Sequence, residues 1–320
     1  MSEVITIGEP VVTFAATDPD VSLAKAENFK KILGGAELNV AIGIRRLGHS
    51  VDYFSQVGTD PLGDYVIDTI KNHQIGTEHI SRDSEHFTGH QLKQLVTVGD
   101  PKTFNYRKDS AASHLQSHAL EDIDLSDVKF AHMSGIFPAI SATAEKSFRV
   151  LYEKLHQNKI PTTFDPNLRP SLWGDQERMI RTINELATNA DIVLPGVDEG
   201  EILMGSRDPE KIADFYLKSP KTSVVMVKVG AKGAFVKTKK QPGQLIPGFK
   251  VDQVVDTVGA GDGFALGVIT ALLEGKSLES AALRGNAVGA MQVQVLGDNE
   301  GYPTREKLLQ FYEKQGVEEK

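Results

Sequence analysis

Near the C-terminal end, Asp256-Thr-Val-Gly-Ala-Gly-Asp-Gly-Phe264 combines a glycine-rich turn, two carboxylates and the start of an apolar run that reaches Leu273. Gly259 and Gly261 let the backbone approach a ligand closely, and the unpaired amides and positive dipole end of a helix starting there favour an anion. That is a cradle for phosphate. Asp262, set at the same helix start, would repel phosphate unless it has a task, and taking a proton from a hydroxyl that attacks phosphorus is one. An N-cap acid with turn glycines before a core helix would give the same local pattern.

The elements that must position these groups alternate along the chain. Val4–Ile7 reads as a first strand ending at Gly8-Glu9. At Gly34-Gly-Ala-Glu-Leu-Asn-Val-Ala41 a second glycine-led helix begins, with Leu38, Ala41, Ile44 and Leu47 at spacings of three and Gly48 closing it. A strand at Asp52–Gly58 and a helix from Asp60 to Gly76 follow. From Val128 the pattern gives strands at Phe130–Met133, Thr162–Asp165, Ile192–Leu194 and Ser223–Val229. Between them fall helices at Ala142–Asn158, Gln176–Asn189 and Gly200–Met204, with a hairpin at Gly233–Thr238 before the late motif. This rhythm predicts an α/β fold with a mostly parallel sheet and helices on both faces. No linker or internal repeat divides the chain, so one domain over residues 1–320 is expected. Two β-rich excursions, about 10–35 and 88–108, are placed together as a small sheet forming a lid over the carboxyl ends of the parallel strands. The second excursion reads as a hairpin turning at Gly99-Asp-Pro101.

Composition narrows the function. With 320 residues the chain can bury a core without staples, and the absence of cysteine removes disulfides, thiolate metal sites and a thiol nucleophile. A net charge of −8 argues against a broad nucleic-acid or acidic-membrane surface, and Lys237–Lys240 reads as a solvated hairpin tip. Mean hydropathy is −0.23, the longest apolar run stops at Leu273, and no basic region followed by an apolar stretch opens the chain. The reading is a cytoplasmic protein.

Familiar nucleotide signatures fail. Gly275-Lys276-Ser277 has Thr270 where a P-loop needs its first glycine, and reads as a helix terminator. After Gly259-x-Gly261, Phe264 stands where a dinucleotide fingerprint needs its third glycine. A nicotinamide dehydrogenase is therefore disfavoured, and the nine scattered histidines do not suggest a metal hydrolase.

Read together, Gly34-Gly-Ala-Glu-Leu-Asn-Val-Ala41 and Asp256-Thr-Val-Gly-Ala-Gly-Asp262 resemble the two signatures of the ribokinase-like (PfkB) carbohydrate kinases, and the likeness covers essentially the whole chain. It implies a ribokinase-like three-layer α/β/α fold with a small β-sheet lid. It implies Asp262 as the base that deprotonates a sugar hydroxyl, and the Gly259, Ala260 and Gly261 amides as an anion hole for the transferred phosphoryl. Gly34 and Asn39 would hold the sugar. Asn167, Lys228, Gly230, Gly233 and Asn286, with Gly259 and Gly261, would meet ATP. The family's Asn-x-x-Glu appears as Gly196-Val-Asp-Glu199, so Glu199 would organise Mg²⁺ through water while residue 196 has lost its side chain. Mg²⁺ follows from the charge of ATP, and a monovalent cation such as K⁺ near Asp256 is left open.

Substrate choice lies outside these motifs. Phe104-Asn-Tyr-Arg-Lys-Asp-Ser-Ala-Ala-Ser113, Gly8-Glu9 and Gly297-Asp-Asn-Glu-Gly-Tyr-Pro303 are similar to stretches of 2-keto-3-deoxygluconate kinases. The resemblance places Tyr106, Arg107, Arg169 and Asp298 at the substrate. An arginine fork binds carboxylate in a planar bidentate pair, so Arg107 and Arg169 suit a sugar acid. Asn105 stands where many of these kinases have tyrosine, and Gln91 where an aromatic contact is sometimes found. An altered acid sugar, or a neutral sugar of the fructokinase or ribokinase type such as fructose, therefore stays open, and Gly196 leaves room for a sugar-binding relative without turnover. Exposed strands of the lid sheet suggest edge-to-edge pairing into a dimer.

Overall fold

The computed structural model describes residues 2–98 and 102–319; the turn expected at Gly99-Asp-Pro101 lies outside them. β1 (Val4–Ile7) leads through β2 (Val11–Pro19) and β3 (Phe29–Gly34) to α1 (Ala36–Arg46). Next come β4 (Val51–Gly58), α2 (Pro61–Asn72), β5 (Ile80–Asp83), β6 (His90–Leu95) and β7 (Thr103–Tyr106). The middle of the chain runs β8 (Phe130–Ser134), α3 (Ala142–Gln157), β9 (Thr162–Asp165), α4 (Gln176–Thr188), β10 (Ile192–Val193), α5 (Val197–Met204), α6 (Pro209–Leu217) and β11 (Val224–Lys228). β12 (Gly233–Thr238) and β13 (Gln244–Pro247) precede α7 (Ala260–Leu273), α8 (Leu278–Gln292) and α9 (Arg305–Gln315).

The central sheet has the order β13-β12-β11-β10-β9-β8-β1-β4-β5. Its strands are parallel from β11 to β5, and β12 and β13 add an antiparallel edge. The strands are short and apolar on both faces because each face carries helices. In β1, Val4 packs with Leu38 of α1 and Leu266 of α7. Its neighbours Ile5 and Ile7 point the other way, to Phe148 of α3 and Ile183 of α4. Each such fully buried side chain is worth roughly 1.5–3 kcal/mol, so the two cores fix the layers firmly. The result is the three-layer α/β/α arrangement.

A second sheet, ordered β3-β2-β6-β7, pairs β2 with β3 and β6 with β7 antiparallel, and β2 with β6 parallel. Side chains alternate across it with a period of two. Val11, Gln91, Lys93, Thr103 and Asn105 face a cleft against the main sheet. Phe14, Phe29, Leu92 and Tyr106 face outward.

Local departures from the sequence reading have simple causes. Gly233–Thr238 is not a hairpin in itself but one strand, β12, paired on one side with β11 and on the other with β13. β5 and β13 lie at the edges with half or more of their residues exposed, so they lack an apolar pattern. α5 starts at Val197 rather than at Gly200, because the Glu199 carboxylate reaches back to accept the Gly196 amide at 2.6 Å and caps it. At the far end from the cleft, Arg284 of α8 is fully buried and donates to both oxygens of Glu274 (2.9 and 2.8 Å) and to Glu319 (2.6 Å), which ties the C-terminal segment to the α7–α8 turn.

Candidate active site

Asp262 sits in the first turn of α7, where the chain enters the helix through Gly259 at φ 78°. A side chain at residue 259 would be strained by that φ, and its Cβ would lie 1.9 Å from the Asp298 carbonyl. Two amides from elsewhere hold the Asp262 carboxylate. Asn39 of α1 donates to Oδ2 at 2.9 Å, and Asn167, on the loop after β9, donates to Oδ1 at 3.2 Å. Asn39 is itself oriented by Asn299, which donates to its Oδ1 at 3.0 Å. Burial pushes the Asp262 carboxyl up; the Asn39 hydrogen bond, Arg169 and Lys228 pull it back against Asp165, and it settles at about 6. A carboxylate so placed is ionised at neutral pH yet basic enough to take a proton.

The first-turn amides of α7 point into the same space. Ala260 spends its amide on the Thr257 carbonyl at 3.3 Å, which leaves Gly261 as the more available donor of the two. A Cβ at Gly261 would lie 3.6 Å from the Lys228 ammonium. That ammonium, at the end of β11, donates to the buried Asp165 carboxylate at 2.6 Å. Burial alone would lower the Lys228 pKa, but Asp165, Glu199 and Asp262 outweigh it and the pKa rises. Glu199 accepts the Leu168 amide at 2.9 Å on one oxygen and the Gly196 amide at 2.6 Å on the other, and burial raises its pKa.

Two cavities meet here. The larger, about 520 Å³, is polar and lies between the second sheet and the main sheet. It is lined by Asn39, Arg107, Asn167, Arg169, Asp262 and Asp298, among others. The smaller, about 370 Å³, lies behind the start of α7 and is mostly apolar, with Gly230, Gly233, Phe249, Val254 and Asn286 in its wall. Lys228, Thr257 and Gly261 line both. Asn286 faces the smaller cavity with its amide tied to the Ile246 and Pro247 carbonyls of β13 (3.0 and 3.1 Å).

At the far wall of the larger cleft, Arg107 donates through Nε to Glu9 at 2.6 Å, and Ser110 donates to the other Glu9 oxygen. Glu9 is buried, so the Arg107 guanidinium is fixed by one edge and its remaining N–H groups stay available. Arg169 donates to the Leu168 carbonyl at 3.0 Å. Asp298 packs against Gly34, where a Cβ would lie 2.2 Å from Oδ2, and burial pushes its carboxyl up to about 6.

One residue expected at the substrate faces away from the cleft. Tyr106 is on the outer face of the second sheet, stacked on His90 at 5.1 Å, because strand alternation gives the inward positions to Asn105 and Arg107. Asn167, expected at the nucleotide, lines the larger cleft with Lys228, Gly259 and Gly261 and donates to Asp262. The sequence reading missed Glu37, Lys93 and Asp165 as cleft residues. Lys93 could have been found by counting inward positions along β6. Among the described residues no group of three or more His, Asp, Glu or Cys side chains could hold a metal ion, and no helix is long and apolar enough to cross a membrane.

A polar cleft with a buried carboxylate on its floor, joined through a glycine-led helix start to an apolar cavity, is the arrangement of a phosphotransferase. Residues 1–305 match the pfkB family of carbohydrate kinases, and the chain belongs to that family. It is 44% identical over 97% of its length, and 95% of the relative's, to a 2-dehydro-3-deoxygluconokinase of Bacillus subtilis (strain 168). The crystal structure of a PfkB protein from Polaromonas sp. JS666 superposes with a TM-score of 0.88 at 41% identity, over 97% of this chain and 99% of that one. A fructokinase double mutant from Vibrio cholerae O395, in fructose-, ADP- and potassium-bound form, gives a TM-score of 0.84 at 26% identity over 97% and 98%.

Proposed function

We propose that this carbohydrate kinase transfers the γ-phosphoryl group of ATP to the terminal hydroxyl of 2-keto-3-deoxygluconate. The observation that carries the reading is the Asp262 carboxylate, buried at the floor of the polar cleft, held by Asn39 and Asn167 and set beside the Gly261 amide. The acceptor hydroxyl lies against Asp262 and loses its proton to that carboxylate as its oxygen bonds to the γ-phosphorus. The bond from phosphorus to the bridging β-oxygen breaks, and ADP leaves with that electron pair. The Gly259–Gly261 segment supplies amides to the charge that develops on the transferred group, and Lys228 faces it from the other side.

Adenine suits the apolar cavity beside Gly230, Gly233 and Asn286. With no cluster of protein ligands among the described residues, Mg²⁺ would travel with the ATP phosphates, where it neutralises their charge. Glu199 is engaged by two backbone amides and faces Lys228, so its part is to set the field around that ammonium. The sugar acid's carboxylate meets the free edge of Arg107, with Arg169 nearby, while Asp298, packed against Gly34, faces its middle. The second sheet acts as the lid of the cleft. Its outer face, with Phe104 59% and Tyr106 48% exposed, fits a second copy of the chain in a homodimer.

One observation favours a second reading. Glu9 neutralises Arg107, and a neutral ketose such as fructose would find that pair less foreign than a carboxylate finds it. An ADP-release assay across keto-deoxy acids, aldonic acids, fructose and ribose decides between them. The proposal expects kcat/KM to be highest for 2-keto-3-deoxygluconate, and a preference for fructose overturns the carboxylate assignment.

A further inference from the structure

Glu37 is unexplained by the transfer just described. It is the second residue of α1, its side chain is fully buried, and neither carboxylate oxygen has a hydrogen-bond partner. Leaving a buried carboxyl unpaired is costly, and native proteins retain such a group where something outside the fold completes it. The Ser134 hydroxyl and the residue's own amide are near enough to favour its charged form, yet neither closes a hydrogen bond. Behind it, Thr6 and Tyr53, opposite each other on β1 and β4, bury hydroxyls that are also unpaired.

Glu37 also borders the cleft, as part of the wall of the polar cavity with Asn39, Asp262 and Arg107. Its position is enforced, because a Cβ at Gly8 would lie 2.4 Å from Oε2, so only glycine there lets the carboxyl sit at the end of β1. Burial raises its pKa to about 7, with Asp262 adding to the rise and Arg107 opposing it. At neutral pH both an accepting carboxylate and a donating acid are therefore within reach.

We infer that Glu37 is a substrate-anchoring residue, whose unpaired carboxyl at the floor of the polar cleft is completed by a hydroxyl of the acceptor other than the one that is phosphorylated. The inference rests on the cleft being the acceptor site proposed above. It makes Glu37 a selector for a hydroxylated chain, independent of the arginines that read the carboxylate, and it implies a trade between stability and binding. Removing the unpaired group relieves the free protein while it weakens the complex.

Glu37→Gln and Glu37→Met test this, with the acceptor that the wild type phosphorylates best. Acceptor KM should rise about ten- to hundredfold, less in Gln than in Met, while ATP KM stays within about twofold. The melting temperature of the free protein should rise by about 2 °C or more in both, and the rise caused by saturating acceptor should shrink. A structural role predicts the opposite sign, a lower melting temperature with an unchanged acceptor-induced shift. That result, in Glu37→Gln alone if Glu37→Met does not fold, overturns the inference. If the best acceptor is fructose rather than the keto-deoxy acid, the substrate assignment fails while the Glu37 prediction is read, unchanged, on fructose.

Discussion

The hydrogen bond from Asn39 to Asp262 sets where the proposed base titrates, and Asn39→Ala should move it. That 2.9 Å bond lowers a carboxyl whose burial raises it to about 6. A hydrogen bond to a charged group contributes about 1.5–3 kcal/mol, and each pKa unit corresponds to about 1.4 kcal/mol, so losing it raises the pKa by about 1–2 units. The lower figure applies, since Asn167 still donates at 3.2 Å and the Arg169 and Lys228 charges remain. The acid limb of kcat/KM should then move from near 6 to about 7. At pH 6 the ionised fraction falls from about one half to about one tenth, a fivefold loss, while at pH 8.5 ionisation accounts for less than twofold. A coupled ADP assay from pH 5 to 9 reads both limbs. Asn299, which loses its acceptor, retains the Leu33 carbonyl at 3.4 Å, so the variant should fold. Profiles that superimpose, in a folded and active variant, refute the assignment of the limb to Asp262.

Four further outcomes follow from the same geometry. Asp262→Asn keeps the shape of the side chain and removes the base, so kcat should fall by about 10²–10⁴ while the acceptor-induced thermal shift persists; near-normal turnover removes Asp262 from the chemistry. Arg107→Lys leaves Glu9 paired but loses the planar fork, so KM for the sugar acid should rise about tenfold or more with rates on fructose unchanged, and equal losses on both acceptors contradict carboxylate recognition. Arg284→Met concerns stability. Burial pushes Glu274 up, but hydrogen bonds from Arg284, Arg305 and His49 pull it down to about 2, so its contribution is full above about 4.5 and is lost as pH falls toward 2. The variant should lose about 2–3 kcal/mol at pH 7 in urea melts and much less at pH 3, and an equal loss at both pH values shows that the ion pairs are not its source. Phe104→Glu and Tyr106→Glu, on the outer face of the second sheet, test the proposed homodimer: sedimentation should give a dimer for the parent chain and a monomer for the variant, and an unshifted species or a monomeric parent contradicts that interface.

The late motif was readable because its chemistry is local: Gly259, Gly261 and Asp262 are near neighbours, and a helix start has the same electrostatics in any fold. The parallel sheet was readable for a similar reason, since short apolar strands alternate with helices. What joins Asp262 to Asn39 is a contact across 223 residues, which only the packing of α1 against α7 creates. Tyr106 shows the opposite error. Its type drew attention, but in a strand the position decides the face, and a one-residue step separates the outer face from the cleft. Glu37 was overlooked because an acid in a first helical turn already has an ordinary explanation in the helix dipole, and burial without a partner has no signature in the sequence. Edge strand β5 has one apolar residue in four, and β13 is only four residues long and mostly exposed, so neither shows an inward-outward alternation in the sequence.

The wall shared by the two cavities at Lys228, Thr257 and Gly261 has a stereochemical consequence. Where acceptor and donor face each other across one opening, the phosphorus moves once, with no covalent stop on the protein. For the proposed transfer, a chiral γ-phosphorothioate of ATP would emerge with its configuration inverted. Initial-rate plots at several fixed acceptor concentrations would intersect rather than run parallel, because both substrates must be present before either product forms.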